Sequence, residues 1–189
     1  MYNDLASALN NVPEEPTPPE PTLPSDGSYS DEKGVNTPNL GEGMTPIKWD
    51  ETKNDWVETN GSDPEWYDYT AKKWANAMTE DGSMWVWIPR YAYQIADNYH
   101  TNSVTGGTIE IKFLKDSSNV AYDGTSTWDN VSGQGKWNIH PAFNYGQEVS
   151  GLWVAKFEAS PEGETTDNAN SQYNGIDKKL QVKPEVSSW

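Results

Sequence analysis

Apolar and polar residues alternate, with interruptions, in several short segments between residues 84 and 184. The densest runs from Met84 to Tyr93 (MWVWIPRYAY), and a second runs from Leu152 to Ser160 (LWVAKFEAS). Both are short and rich in aromatic and β-branched side chains, which favours strands over helices. Pro89 predicts an edge, a bulge or a strand end, with a second extended segment from Arg90.

Two more segments complete the set of late strands. Residues 108–114 alternate with a clean period of two, and residues 180–184 form a final short apolar segment. Long polar loops separate them, so the pattern predicts a mainly β fold, α+β at most, of short antiparallel strands and hairpins. The side chains expected to be most buried are Trp85, Trp87, Ile109, Ile111, Phe113, Trp153, Val154 and Phe157.

A repeated aromatic frame lies earlier in the chain, within residues 45–76. The segments 49–57 (WDETKNDWV) and 67–75 (YDYTAKKWA) both place Asp and Thr after a first aromatic residue and Trp near the end. Each predicts a hairpin with two aromatic residues across the ladder. Two interpretations stay open: small local cores, or an aromatic platform that stacks on sugar rings through Trp49, Trp56, Tyr67 and Trp74.

Residues 1–43 have the composition of an acidic tail rather than a domain. They hold seven of the thirteen prolines, and the run from Pro13 to Pro24 predicts a semi-rigid polyproline II spacer. Before this run, residues 4–12 predict a short helix with Asp4 as a possible N-cap, which would be marginal alone. The segment is either a linker or a docking segment for another chain; the assembly residues of the second reading are Leu5, Leu9, Val12 and Leu23.

Composition narrows the functional classes. The formal net charge is −16, from 13 basic and 29 acidic residues, which argues against nucleic-acid binding because phosphate recognition needs clustered cations. The chain has no cysteine, so disulfides, thiolate metal sites and a thiol nucleophile are excluded. No apolar run reaches the roughly 18–20 residues that span a bilayer, and no signal-peptide pattern is visible.

Three ordered blocks carry a family resemblance across roughly three quarters of the chain. They are residues 84–89 (MWVWIP), 140–143 (HPAF) and 151–160 (GLWVAKFEAS). In this order they resemble formylglycine-generating-enzyme-like domains of the C-type-lectin-like fold, and residues 44–189 look like bacterial surface and phage structural proteins. The resemblance implies a partial C-type-lectin-like domain at 84–189, with the aromatic hairpins 45–76 before it, outside the cell.

The departures from that family bear on function. The family's enzymes depend on cysteine or copper-binding thiols in their C-terminal half, whereas this chain has none. The segment from Lys183 to Trp189 resembles a mid-domain stretch of the family, so we expect a scaffold without that C-terminal half. The resemblance therefore implies the scaffold and not the catalysis.

Other candidate chemistry in the sequence is sparse. His100 and His140 are the only histidines, and His140 precedes a proline in a family-like block, which favours a structural role. The pairs Asp50/Asp55 and Asp123/Asp129 match no known calcium loop, so solvated turns are the favoured interpretation. No nucleophile–base arrangement is recognisable, and the sequence predicts no catalytic residue, metal or cofactor.

Two functional hypotheses follow. The first is a non-enzymatic structural or adhesive subunit of an extracellular bacterial fibre or phage particle, assembled as a homo-oligomer or polymer through its tail and subunit contacts. The second is a carbohydrate-binding module that uses the exposed aromatic residues of the hairpins and binds a surface glycan. They differ over the aromatic rings: a binder leaves them open to solvent, whereas an assembly subunit covers them with a neighbour.

Overall fold

The computed structural model describes residues 29–30, 33–161 and 180–184. Within these ranges the protein is mainly antiparallel β-structure, which confirms the predicted class. The strands are β1 (Tyr29–Ser30), β2 (Val35–Asn36), β3 (Met44–Asp50), β4 (Asp55–Glu58), β5 (Asn76–Thr79), β6 (Met84–Pro89), β7 (Tyr91–Ile95), β8 (Ile109–Phe113), β9 (Asn138–Ile139), β10 (Gly151–Ala155), β11 (Ser160–Pro161) and β12 (Leu180–Gln181). A single 3₁₀ turn is described at Pro141–Phe143.

The largest sheet has five strands in the order β10-β6-β5-β3-β4. The two apolar segments found in the sequence pair directly within it, with Trp87 opposite Trp153 and ring centroids 5.4 Å apart. Gly151 permits this approach, because a Cβ at that position would run into the Trp87 ring. Cross-strand aromatic packing thus joins segments that are more than sixty residues apart in sequence.

Pro89 ends β6, as predicted, and the chain crosses after it to a second sheet. This sheet has three strands in the order β8-β7-β9. The predicted period-two strand at 108–114 is β8, which pairs along its whole length with β7. Arg90, the residue between β6 and β7, therefore lies at the junction of the two sheets.

The first aromatic frame forms the predicted hairpin, and the second forms only a turn. In β3–β4, Trp49 is opposite Trp56, and the Asp50 carboxylate accepts hydrogen bonds from the turn. In the second frame the pairing is a single bridge between Asp68 and Lys73. The prediction of a second strand pair was wrong, because the aromatic residues before the turn enter the core instead of extending a ladder.

The main core lies against one face of the five-stranded sheet. Its buried members are Val35, Leu40, Trp66, Tyr67, Ala75, Ala77 and Trp87. Two of them, Val35 and Leu40, come from the part of the chain assigned to the tail by its composition. The packed structure therefore begins before the predicted boundary at residue 44. A second core under the three-stranded sheet is built from small residues, namely Ala92, Leu114 and Ala121.

The predicted list of core residues was mostly wrong. Of its eight members only Trp87, at 3% exposure, is buried. Four are half-buried, namely Trp85, Phe113, Trp153 and Phe157. Three are exposed, namely Ile109 (65%), Ile111 (49%) and Val154 (46%). Alternation identifies the apolar face of a strand, but burial depends on what covers that face, and within the described ranges no element covers these three.

Arg90 is fully buried and ties the second sheet to its loops. One guanidinium nitrogen lies 2.6 Å from a Glu148 carboxylate oxygen, and the side chain also donates to the Phe143 carbonyl, the Ser118 carbonyl and the Asn119 side chain. A buried charge is tolerated when it is paired and its donors are satisfied, as here. The long loops on either side of β9 are therefore fixed by one side chain.

Asn36, like Arg90, is a buried polar residue whose side chain bonds to distant loops, and it does so for the first part of the chain. Its side-chain amide is inaccessible and donates to the carbonyls of Asp116 and Ser150, while its oxygen accepts from the Asp116 N–H. All three bonds reach backbone groups of distant loops. They position β2 against the region between the two sheets.

Candidate functional site

A cleft of about 750 Å³ opens on the five-stranded sheet, between the β3–β4 hairpin and the turn at 68–73. Three of the four residues predicted to bind sugar line it together: Trp49, Trp56 and Trp74. The charged side chains around it are Lys48, Asp50, Glu51, Glu65, Lys72, Lys73 and Lys156. Aromatic walls and several polar groups in one concave site are the usual features of a small-ligand site.

The tryptophans form walls rather than a flat platform. Trp49 and Trp74 are each 40% exposed. Trp49 and Trp56 meet edge to face, with centroids 5.6 Å apart and ring planes inclined at 67°. A ligand between these walls would therefore meet ring faces in different orientations, as a folded or branched molecule allows.

Tyr67, the fourth predicted ligand-binding residue, does not reach the cleft. It is 3% exposed and packs edge to face on Trp66, and the Lys33 ammonium lies 3.8 Å from its ring centroid. Burial raises the pKa of its hydroxyl. Its assignment to the binding site was wrong because this part of the repeated frame faces the main core.

The floor of the cleft is organised by Asn76 at the start of β5. This residue is 7% exposed. Its side-chain nitrogen donates to the Trp74 carbonyl at 2.6 Å, its backbone carbonyl accepts from the Trp66 indole at 2.8 Å, and its side-chain oxygen accepts from Lys156. The orientation of one wall and of one cation is therefore set by a single buried amide.

Lys156 follows β10 and reaches across the sheet into the cleft. Its ammonium lies 2.7 Å from the Asn76 side-chain oxygen and 4.4 Å from the centroid of the Trp56 ring. Burial lowers the pKa of this ammonium, since the charged form loses hydration. The contact with Trp56 is a cation–π interaction, which favours the charged form and fixes the chain of the lysine along the wall.

The opposite side of the cleft holds a hydrogen-bonded ion cluster. The Lys48 ammonium lies 2.7 Å from Asp63 and 3.2 Å from Glu65. Burial alone would raise the pKa of Asp63, but bonds from Lys48, the Thr59 hydroxyl and the Glu65 N–H outweigh it and lower the pKa to about 2. Lys48 is therefore already neutralised by carboxylates of its own chain.

Residues that sequence reasoning missed include Lys48, Trp66, Asn76 and Lys156. A signal existed for Lys156, because a lysine interrupts the apolar segment 152–157. Asn76 offered none, since an Asn between alanines resembles any surface residue until its partners are known.

A second concavity, of about 490 Å³, is apolar and lies mainly on the three-stranded sheet. We call it the apolar groove; its lining is Trp74, Ile88, Pro89, Tyr91, Tyr93, Ile109, Ile111, Phe113 and His140. Its strand pairs present aromatic and aliphatic residues on one face: Tyr91 opposite Phe113, Tyr93 opposite Ile111 and Ile95 opposite Ile109. Trp74 lines both the cleft and the apolar groove.

The histidines and carboxylate pairs have local structural contacts. His140 accepts from the Ala142 N–H at the start of the 3₁₀ turn, and His100 stacks on Tyr99. Asp50 caps its own turn, and Asp123 pairs with Lys112 at 2.7 Å. In the ranges that the structure describes, no three His, Asp or Glu side chains converge on a metal position.

Further findings concern the tail and membrane helices. The predicted assembly residues of the tail, Leu5, Leu9, Val12 and Leu23, lie outside the described residues. No helix in the described part of the chain has the length and apolar character needed to cross a membrane.

Comparison with protein-family models, with curated proteins and with solved structures finds no match for this chain.

Proposed function

We propose that this protein is a non-enzymatic adhesive protein that binds carbohydrate in the tryptophan-walled cleft. The observation that carries the proposal is the convergence of Trp49, Trp56 and Trp74 on one cleft with charged and amide side chains around it. Trp49 and Trp56 were expected to meet within one hairpin, but the sequence did not require Trp74 to join them.

The chemistry of the cleft suits a sugar. A pyranose has apolar C–H faces and polar edges, so it needs aromatic surface and hydrogen-bonding groups within a few ångströms of each other. Trp combines a large apolar body with an N–H donor, and Trp49 and Trp74 keep part of their rings open to solvent. The surrounding Lys, Asp and Glu side chains supply donors and acceptors for hydroxyl groups.

One carboxylate of the cleft, that of Asp50, has electrostatics that disfavour a role in hydrolysis. Glycoside hydrolysis needs a carboxylic acid whose pKa is raised, paired with a second carboxylate. Asp50 lies at the cleft, but the Thr52 hydroxyl and the turn N–H groups lower the pKa of its carboxyl. Asp50 is therefore unsuited to protonate a leaving group.

Sugar binding is tested by calorimetry or ligand-observed NMR with a glycan panel. Trp49→Ala and Trp74→Ala should each weaken binding by about tenfold or more, about 1.4 kcal/mol. Tyr145→Ala is the matched control, because Tyr145 is 72% exposed and does not line the cleft. Equal binding by the control and both Trp variants would rule out the cleft as the sugar site.

A second candidate function, assembly through the Pro-rich tail, is favoured by the apolar groove. Proline-rich segments bind grooves lined by aromatic rings, because polyproline II is extended before binding and loses little entropy. Trp74, Tyr91, Tyr93 and Phe113 supply such rings. The tail of a neighbouring copy, with Leu5, Leu9, Val12 and Leu23, is the occupant that we propose, in a homo-oligomer or polymer.

Assembly is tested by light scattering of the full chain, of a variant lacking residues 1–24, and of Ile111→Asp. Both changes should abolish assembly, the second by placing a charge in the apolar groove. Val104→Asp is the control, since Val104 is fully exposed away from the groove. If the shortened chain assembles as the full chain does, the tail is only a spacer.

The proposal also includes where the protein is found. An extracellular position, on a bacterial surface fibre or a phage particle, is supported by the resemblance to formylglycine-generating-enzyme-like surface domains and by the acidic, cysteine-free composition. Immunogold labelling of intact cells and particles with an antibody to this chain tests it, and exclusively internal label would contradict it.

A further inference from the structure

Lysine side chains are concentrated in the cleft, although the protein as a whole is strongly acidic. Four lysines line it, Lys48, Lys72, Lys73 and Lys156, against three carboxylates, Asp50, Glu51 and Glu65. The whole chain has only 13 basic residues against 29 acidic ones. A cluster of lysines on an otherwise negative surface is a place where an anionic group can be received.

The four lysines are not equivalent. Lys48 is held by Asp63 and Glu65, so it has little charge to offer a ligand. Lys156 has a neutral partner, the Asn76 side-chain oxygen, and no carboxylate of the described chain lies within ion-pair distance of its ammonium. Lys72 and Lys73 are exposed at the rim.

Lys156 is half-buried, so it has lost part of its hydration without gaining a counter-ion from the residues that the structure describes. A desolvated cation lacking an opposite charge is unfavourable, and an anion placed beside it removes that penalty. Lowering of its pKa by burial agrees with this position. The free protein thus holds a cation in the cleft whose natural complement is a negative group on the ligand.

The cleft has two parts that would contact different groups of a ligand. The Lys156 ammonium lies over the Trp56 ring, so that ring is partly covered, whereas Trp49 and Trp74 remain open. A ligand that fills the cleft would place an apolar sugar face on the open tryptophans and an anionic group toward Lys156.

We infer that the cleft selects anionic sugars, with Lys156 receiving the carboxylate of a uronic acid or the sulfate of a sulfated residue. This inference rests on the proposed carbohydrate-binding function. Nucleic acid is a poor alternative source of the anion, because its long phosphate backbone would meet the acidic surface beyond the cleft.

The test compares sugars that differ only in charge. Calorimetry with galacturonic acid trisaccharide, galactose trisaccharide and a sulfated galactose trisaccharide is performed on the wild type, Lys156→Gln, Lys156→Arg and Lys72→Gln. The wild type should bind at least one charged sugar about tenfold tighter than the neutral one, with an affinity that falls as salt rises. The carboxylated and sulfated arms identify which anion is preferred.

The variants assign the preference to one residue. Lys156→Gln should remove the preference for the charged sugar, whereas Lys156→Arg and Lys72→Gln should keep it. Equal binding of charged and neutral sugars by the wild type, or an unchanged preference in Lys156→Gln, would overturn the inference and leave the carbohydrate site standing. Failure to bind any sugar would overturn both. If Lys156→Gln does not fold, equal binding of charged and neutral sugars by the wild type would still overturn the inference.

Discussion

The five-stranded and three-stranded sheets are built from similarly apolar strands, yet they bury different things. The first sheet encloses large rings, with Trp66 and Trp87 at 1% and 3% exposure. The second covers small residues, Ala92 and Ala121 among them, and leaves Ile109 and Ile111 exposed. Ring burial stabilises the first sheet, whereas the hydrogen bonds of the buried Arg90 hold the second. Because hydrogen bonds to Arg90 hold the second sheet in place, its apolar face is left available for contact with another molecule.

The largest effect is expected from removing an enclosed ring of the first sheet. Trp87→Ala should lower the free energy of unfolding by about 3–5 kcal/mol, because the ring is buried among six other core residues and its loss leaves a cavity. Trp153→Ala should cost less, since Trp153 is only half-buried. Urea denaturation of both variants measures this, and equal losses would contradict the difference in burial.

The next effect concerns the polar attachment of the second sheet. Arg90→Ala should cost about 2–3 kcal/mol, because carbonyls of Ser118 and Phe143 lose their donors while Glu148, 41% exposed, regains water. In the Arg90→Ala variant, backbone amide hydrogen exchange should be faster in β7–β9 than in β3–β6. Arg90→Lys is the matched variant, which keeps the charge but not the fork of donors. Uniform opening of both sheets would refute the separation.

A third comparison concerns how stability changes at low pH. It contrasts two ion pairs, Asp63–Lys48 beside the first sheet and Asp123–Lys112 beside the second. Asp63 has a pKa of about 2 in the folded chain, below its ordinary value, so its contribution is fully present above about pH 4 and disappears as pH falls through 2. Its side chain is only 16% exposed, which supports a contribution on the order of 2 kcal/mol. The stability difference between wild type and Asp63→Asn should therefore shrink between pH 5 and pH 2.

Asp123 is the partner in this comparison. Its pKa is held well below the usual range by bonds from Lys112 and Thr125, but its side chain is 49% exposed and solvent screens the ion pair. Asp123→Asn should cost less than Asp63→Asn at pH 5. A larger loss of stability for Asp123→Asn would show that solvent exposure does not determine how much each ion pair contributes.

The smallest effect is expected at the exposed isoleucines of the second sheet. Ile111→Ala should cost about 1 kcal/mol or less, well under the 2–5 kcal/mol typical of a buried isoleucine, because Ile111 is 49% exposed. Thermal unfolding of a monomeric sample measures it. A cost near that of Trp87→Ala would mean that the face is covered in solution.

The sequence was sufficient for the most strongly alternating strands and insufficient for what surrounds them. Alternation and the position of Pro89 are local properties, so β6, β7, β8 and β10 could be predicted. Burial could not, because the face of β8 is apolar whether or not something covers it. Three cleft tryptophans were found from a repeated frame, whereas Asn76 and Lys156 are 80 residues apart and meet only through the sheet order.

The bonds of Asn36 have a consequence for the order of events during synthesis. Its side chain donates to the Ser150 carbonyl, 114 residues further along the chain. At about 5–20 residues per second, the ribosome needs roughly 6–23 seconds to deliver that acceptor. Until then β2 can join only the loop at Asp116, so the structure around it completes after most of the chain has emerged. Such distant pairings belong to slow folders, with times of milliseconds to seconds once the chain is free.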